Sequence, residues 1–240
     1  MIQSKGSDMQ RLVQSLLVCL AIAGPALAQE RSARTERTQL ADDPTKIITK
    51  LGVRYTEDVS ISGSVAFGPV TKINASYSET GEWSLGGSYL FNFGIVNVAA
   101  SHRELDNGTS QTQYSLGTFV PLSALGASTG KWQMFPMAGV NYIEGSSVDL
   151  DTVLSNDLPV ATSSKGGYIG VMGLRPLNEK WVFRGVLVGS AGSDNYSGYT
   201  IGGGFSYMIT KRDRVSAFAS YIDNSFGTRD AIGISYSREF

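Results

Sequence analysis

Along most of this chain, apolar and polar residues change places at every step. Val59, Ile61, Val65 and Phe67 alternate with Ser60, Ser62, Ser64 and Ala66. Ile73, Ala75 and Tyr77 alternate with Asn74, Ser76 and Ser78, and Trp83, Leu85, Tyr89, Phe91 and Phe93 with Ser84, Gly86, Ser88 and Asn92. Period two with one uniformly polar face predicts strands that are apolar on one side only. Glu57-Asp58, Gly68-Pro69 and Glu79-Thr80-Gly81 supply the turns between them. Ahead of these, Ile47 to Tyr55 sets Ile47, Leu51, Val53 and Tyr55 on one face and Lys50, Gly52 and Arg54 on the other.

The pattern continues downstream. Val96, Val98 and Ala100 oppose Asn97, Ala99, Ser101 and Arg103, and Asp106-Asn107-Gly108 is a strong turn signal. Tyr114, Leu116, Thr118 and Val120 then oppose Gln111, Gln113, Ser115 and Gly117. Pro121 to Lys131 reads as a longer connection, and Trp132 to Tyr142 as a strand that Pro136 weakens or bulges. Ile143 to Lys165 reads as the longest irregular segment. Tyr168 to Leu174 is apolar on both faces, Trp181, Phe183 and Leu187 alternate with Val182, Arg184 and Val186, and Tyr199 to Ile209 alternates again. Val215 to Tyr221 is short and ambiguous in face. The last run, Asp230 to Phe240, carries Ile232, Ile234, Tyr236 and Phe240 on one face and Gly233, Ser235, Ser237 and Glu239 on the other. The sum is about twelve strands, with ten as the alternative; both are even, as single-chain membrane barrels require.

The polar face is mostly Ser and Gly. A soluble all-β barrel would hide its apolar face and expose a charged one. Apolar outside with Ser and Gly inside predicts an all-β, antiparallel transmembrane β-barrel. A terminal Phe240 preceded by Tyr236, Ile234 and Ile232 at every second position resembles the carboxyl-terminal signature of bacterial outer-membrane β-barrels. That resemblance implies an outer-membrane location, and it implies that the barrel assembly machinery reads these four residues as its signal. Arg238 departs from the pattern, and a long side chain at the periplasmic rim can snorkel. With the amino terminus in the periplasm, the seventh connection, Ile143 to Lys165, falls outside, where long loops belong. Phe67, Phe93, Trp132, Trp181, Tyr207 and Phe240 then form an inner aromatic band, and Tyr55, Tyr77, Trp83, Tyr142, Tyr199 and Tyr221 an outer one.

The first residues modify this picture. Lys5 and Arg11 precede an apolar core from Leu16 to Ala23, and Ala26-Leu27-Ala28 offers small residues for cleavage before Gln29, so residues 1–28 read as a signal peptide, with an uncleaved anchor as the alternative. Cys19, the one cysteine, lies inside it and follows Val18, which argues against a lipoprotein. Residues 29–45 are polar and aperiodic. They read as a disordered periplasmic leader or, alternatively, as a plug in the lumen, with the barrel spanning 46–240. The chain has 20 Lys and Arg against 21 Asp and Glu, and losing Lys5, Arg11 and Asp8 takes the net charge from −1 to −2. That excludes the basic surface nucleic acid requires.

Candidate chemistry is sparse. His102, the one histidine, falls on the lipid face with Glu104 two residues on, while Ser101 points the other way. An outer-leaflet lipid-modifying enzyme would need a nucleophile within reach of that ring. Asp149, Asp151, Asp157 and Glu144 make the long loop acidic, without the spacing of a metal site, and no cofactor is expected. The inward face carries the positive signal: Lys50, Arg54, Lys72, Arg103 and Arg184, with Asn74, Asn97, Gln111 and Gln113, against Glu239. A basic polar lining favours anions. The sequence thus predicts a narrow pore for small polar or anionic solutes. A structural or surface-interaction barrel acting through its loops is the alternative, and outer-membrane lipids and lipopolysaccharide are the expected surroundings. A lumen blocked by the leader or the long loop would contradict the pore.

Overall fold

A chain whose strands are apolar on one side needs somewhere to put that side and a partner for every backbone amide. Closing the sheet on itself solves the second problem without edges. In the computed structural model, which describes residues 39–106, 108–147 and 160–240, that is the outcome. The strands are β1 (Lys50–Tyr55), β2 (Val59–Phe67), β3 (Thr71–Ser78), β4 (Trp83–Leu90), β5 (Ile95–Glu104), β6 (Ser110–Phe119), β7 (Gln133–Ser147), β8 (Val160–Pro176), β9 (Trp181–Gly192), β10 (Ser197–Met208), β11 (Asp213–Asn224) and β12 (Gly227–Glu239). Each pairs antiparallel with its sequence neighbours, and β12 closes the barrel on β1 through six pairs from Lys50↔Glu239 to Tyr55↔Ile234. The twelve-strand reading therefore holds over the ten-strand one. The barrel belongs to the compact unit Ala41–Phe240. The expected signal peptide, most of the expected leader, and Asp149, Asp151 and Asp157 lie outside the described residues.

The outer wall is apolar and bare. Leu51, Ile61, Ile73, Leu85, Ile169, Ile201, Ile232 and Ile234 are all exposed on it. Monomers in water do not present an apolar band of this extent. Aromatics gather towards its two ends and meet across strands: Trp181 with Tyr207 at 5.0 Å and Phe183 with Phe205 at 5.2 Å at one end, Tyr114 with Tyr142 at 6.3 Å and Tyr199 with Tyr221 at 6.0 Å at the other. Such cross-strand pairs contribute roughly 0.2–1 kcal/mol each and help hold register. The lone cation of the last strand's outer face, Arg238, is paired laterally, its Nη1 lying 3.2 Å from Asp213 Oδ1 on β11.

Several elements differ from the sequence reading. β1 starts at Lys50, because residues 47–49 run beside β2 through side-chain bonds: Ser64 Oγ donates to the Ile48 carbonyl (2.7 Å) and the Ala66 N–H donates to Thr49 Oγ1 (3.1 Å). β4 ends at Leu90, and Phe91 to Gly94 forms the turn, closed by the Phe91 N–H on the Gly94 carbonyl. Pro136 causes no bulge. Register is unbroken through Pro136↔Val171, and the Pro136 carbonyl accepts from the Val120 N–H, so its missing donor faces the point where β6 has already ended. The segment 143–165 is not all irregular: β7 and β8 continue as a hairpin to Ser147↔Val160. The sequence hides this extension because water lies on both sides of a strand beyond the membrane, so nothing enforces alternation. β11 likewise runs well past Val215–Tyr221 at both ends.

Candidate functional site: the barrel lumen

Directly paired residues on adjacent strands share a face, so the register assigns every side chain to the inside or the outside. It places Lys50, Arg54, Lys72, Asn74, Asn97, Arg103, Gln111, Gln113, Arg184 and Glu239 all on the inner face. It adds Arg214 and Phe218 from β11, Arg229 from β12 and Tyr168 from β8, which the sequence reading missed. The Ser and Gly lining predicted for the whole lumen is found mainly on β1–β4 and β10–β12. Towards the periplasmic end of β5–β9 the inner face instead carries buried Ile95, Phe135, Met137, Leu174 and Val182. This explains why β8 reads as apolar on both faces. Its Tyr168 lies flat across Gly117 and Gly139, where a β-carbon would come within 1.8 Å and 2.6 Å of the phenol oxygen.

At the periplasmic end, residues 41–46 enter the barrel. This differs from the disordered reading of 29–45 as far as these residues are concerned. Asp43 folds the segment into a tight turn, its Oδ1 accepting from the Thr45 N–H (2.8 Å) and Oγ1 (2.6 Å), with Pro44 between them. Asp42, only 2% exposed at its side chain, sits between two lumen arginines, its Oδ1 lying 2.9 Å from Arg214 and 3.6 Å from Arg184. Lys46 places its ammonium 2.7 Å from Glu239 Oε2, and its carbonyl accepts from Lys72 Nζ (2.9 Å). The inner wall's Arg184, Arg214 and Lys72, together with its Glu239, hold the segment.

At the outer end the β11–β12 turn folds across the mouth to the opposite wall. Phe226 packs with Leu105, Tyr196 and Ile143 and lies against Gly145. The Asp106 N–H donates to the Thr228 carbonyl (3.1 Å), and Asn224 Nδ2 donates to Gln111 Oε1 (3.2 Å). Beneath this bridge lie cavities of about 290 and 280 Å³ that share Arg103 and Ile222 in their walls. The first is faced by Arg54, Arg103 and Arg229. Arg229 is clamped by both oxygens of Glu82 from the β3–β4 turn. Asp58, in the β1–β2 turn, is bonded by Ser78, Thr56 and Thr80 hydroxyls. The Ser78 bond chiefly, supported by the other two, holds its carboxyl below the usual range. Arg54 stacks its guanidinium over Phe218 at 5.0 Å from the ring centre.

His102 faces outward beside Trp83, its register partner. The hydroxyl within reach is that of a threonine on β6: His102 Nδ1 lies 2.9 Å from Thr112 Oγ1. Among the described residues, no carboxylate or amide side chain bonds the other ring nitrogen to orient it, as a nucleophile–base pair requires.

No family model and no curated protein sequence matches this chain. Solved structures do. The barrel is similar to the translocator domain of the autotransporter NalP from Neisseria meningitidis, at 12% identity over 80% of this chain and 86% of that one, with a TM-score of 0.54. The chain is a closed, membrane-spanning β-barrel. It is also similar to the NanC porin, at 10% identity over 80% of this chain and all of that one (TM-score 0.48). An outer membrane channel from Pseudomonas putida F1 is similar at 10% identity over 85% of this chain and all of that one (TM-score 0.47). At these identities the likeness is one of fold. The bare apolar belt is the chain's own evidence of a wall that faces lipid, and what the lumen does rests on its own residues.

Proposed function

We propose that this barrel is a narrow diffusion pore that favours small anions and that residues 41–46 and the β11–β12 turn hold in a constricted state. The observation that carries this is the run of inward cations from one end of the lumen to the other: Lys50, Lys72, Arg184 and Arg214 nearer the periplasm, Arg54, Arg103 and Arg229 nearer the surface. Positive charge on a low-dielectric wall lowers the barrier to anions and raises it for cations. The constriction comes from short segments held by a few side chains, not from a folded domain, so a modest rearrangement widens the path.

The test is single-channel recording of the refolded barrel in a planar bilayer with a salt gradient. Small discrete steps, with a reversal potential on the anion side, are expected. Barrels that prove folded by heat-dependent gel mobility, yet never conduct even with residues 41–46 removed, would overturn the reading and shift weight to the surface loops. Recordings that lean towards cations would overturn the anion preference alone.

A further inference from the structure

Some of the lumen's cations are paired with carboxylates and some are not: Lys50 and Lys72, nearer the periplasm, have none within ion-pair distance among the described residues, Lys72 donating instead to the Lys46 carbonyl. Nearer the periplasm, Arg184 and Arg214 share Asp42, and Lys46 meets Glu239. Nearer the surface, Arg229 has Glu82. Arg54 and Arg103 have no carboxylate within ion-pair distance among the described residues, although both face the cavity of about 290 Å³. The other acid in that wall, Asp58, is taken up by its three hydroxyl donors. Serine hydroxyls of Ser60, Ser101 and Ser220 line the same space.

Two guanidinium groups facing one small cavity repel each other, and partial removal from bulk water strengthens that repulsion. An anion between them reverses the sign of both interactions. Arginine's planar fork suits a carboxylate or phosphate group, which it binds through paired N–H bonds. In the periplasmic half one carboxylate oxygen, Asp42 Oδ1, already lies within ion-pair distance of two arginines. We propose that the outer cavity is a binding site for a small oxyanion, with its carboxylate or phosphate group held between Arg54 and Arg103. The Phe218 ring fixes Arg54 from behind, so less side-chain freedom is lost on binding. The cavity has the volume of roughly ten waters at ~30 Å³ each. That suits a small organic acid or a phosphorylated small molecule. The inference rests on the anion-favouring reading of the lumen and gives it a place and a ligand chemistry.

The experiment is calorimetric titration of the folded barrel in detergent with succinate and, separately, inorganic phosphate, at fixed ionic strength in sodium chloride. Binding of at least one probe is expected, weakened tenfold or more in Arg54→Gln and in Arg103→Gln. It should stay within twofold in Arg175→Gln, whose side chain stacks on Trp132 at the outer wall. Which probe binds separates carboxylate from phosphate recognition. If Arg54→Gln fails to fold, Arg54→Lys keeps the charge without the fork and should still bind more weakly. No binding of either probe to folded barrels, or binding indifferent to both arginines, overturns the site. Binding without any single-channel current would sink the pore and leave the site standing. Anion-leaning current without binding would do the reverse.

Discussion

Asp42→Asn removes one charge and tests what seats residues 41–46. Asp42 Oδ1 lies 2.9 Å from Arg214 and 3.6 Å from Arg184, with side-chain exposures of 2% for Asp42, 11% for Arg214 and 33% for Arg184. Breaking a buried pair from one side costs about 3–5 kcal/mol, because the other charge stays buried without a partner. Two features favour the low end. Arg184 is partly hydrated, and Arg214 Nη2 keeps a 3.1 Å bond to Ser237 Oγ. Taking about 3 kcal/mol, at 1.4 kcal/mol per tenfold, the seated-to-unseated ratio falls by roughly a hundredfold. Hydrogen exchange on the folded barrel in detergent reads this directly: protection at Thr45 and Lys46 amides should drop by about two decades, while strands β9 to β12 keep theirs. Asp42→Glu should recover part of it. Unchanged exchange in Asp42→Asn, with the barrel folded, would refute the view that the lumen arginines hold the segment. Loss of protection across the strands as well would mean that Asp42 supports the barrel rather than the segment.

Three further outcomes are expected. Gly139→Ala puts a β-carbon 2.5 Å from the Leu116 carbonyl and 2.6 Å from the Tyr168 ring, so urea unfolding from lipid vesicles should show a loss of about 1–3 kcal/mol; Gly189→Ala, where nothing lies within 4 Å, should show none. Glu82→Gln releases Arg229 from its clamp and should move the reversal potential further to the anion side, so a shift towards cations would contradict the charge assignment. Asp58 has its folded pKa held down, so its contribution is fully present above the unfolded carboxylate value of about 3.9 and is lost as the pH falls through the folded one. Asp58→Asn should therefore be less stable than the parent at neutral pH, and the gap should close below about pH 4; a gap that persists at low pH would show that the loss has another origin.

What the sequence determined by itself was the wall. Period two is a local property, and a membrane requires it of every strand that crosses, so an even count of ten or twelve strands and the facing of Lys50, Arg54, Lys72, Arg103 and Arg184 could be read from neighbouring residues, while closure decided for twelve. The reading failed where that requirement lapses. Around Asp213-Arg214 and Thr228-Arg229-Asp230, water meets both faces at the rims, alternation dissolves, and two lumen arginines went unnoticed. Only the tertiary structure decided what fills the lumen. Glu82 and Arg229 are 147 residues apart, and Asp42 finds partners on β9 and β11. Phe226 crosses to the opposite wall. A polar or aromatic residue pointing inward carries no signal of what it will meet across the barrel, because that contact depends on closure and register along the whole sheet.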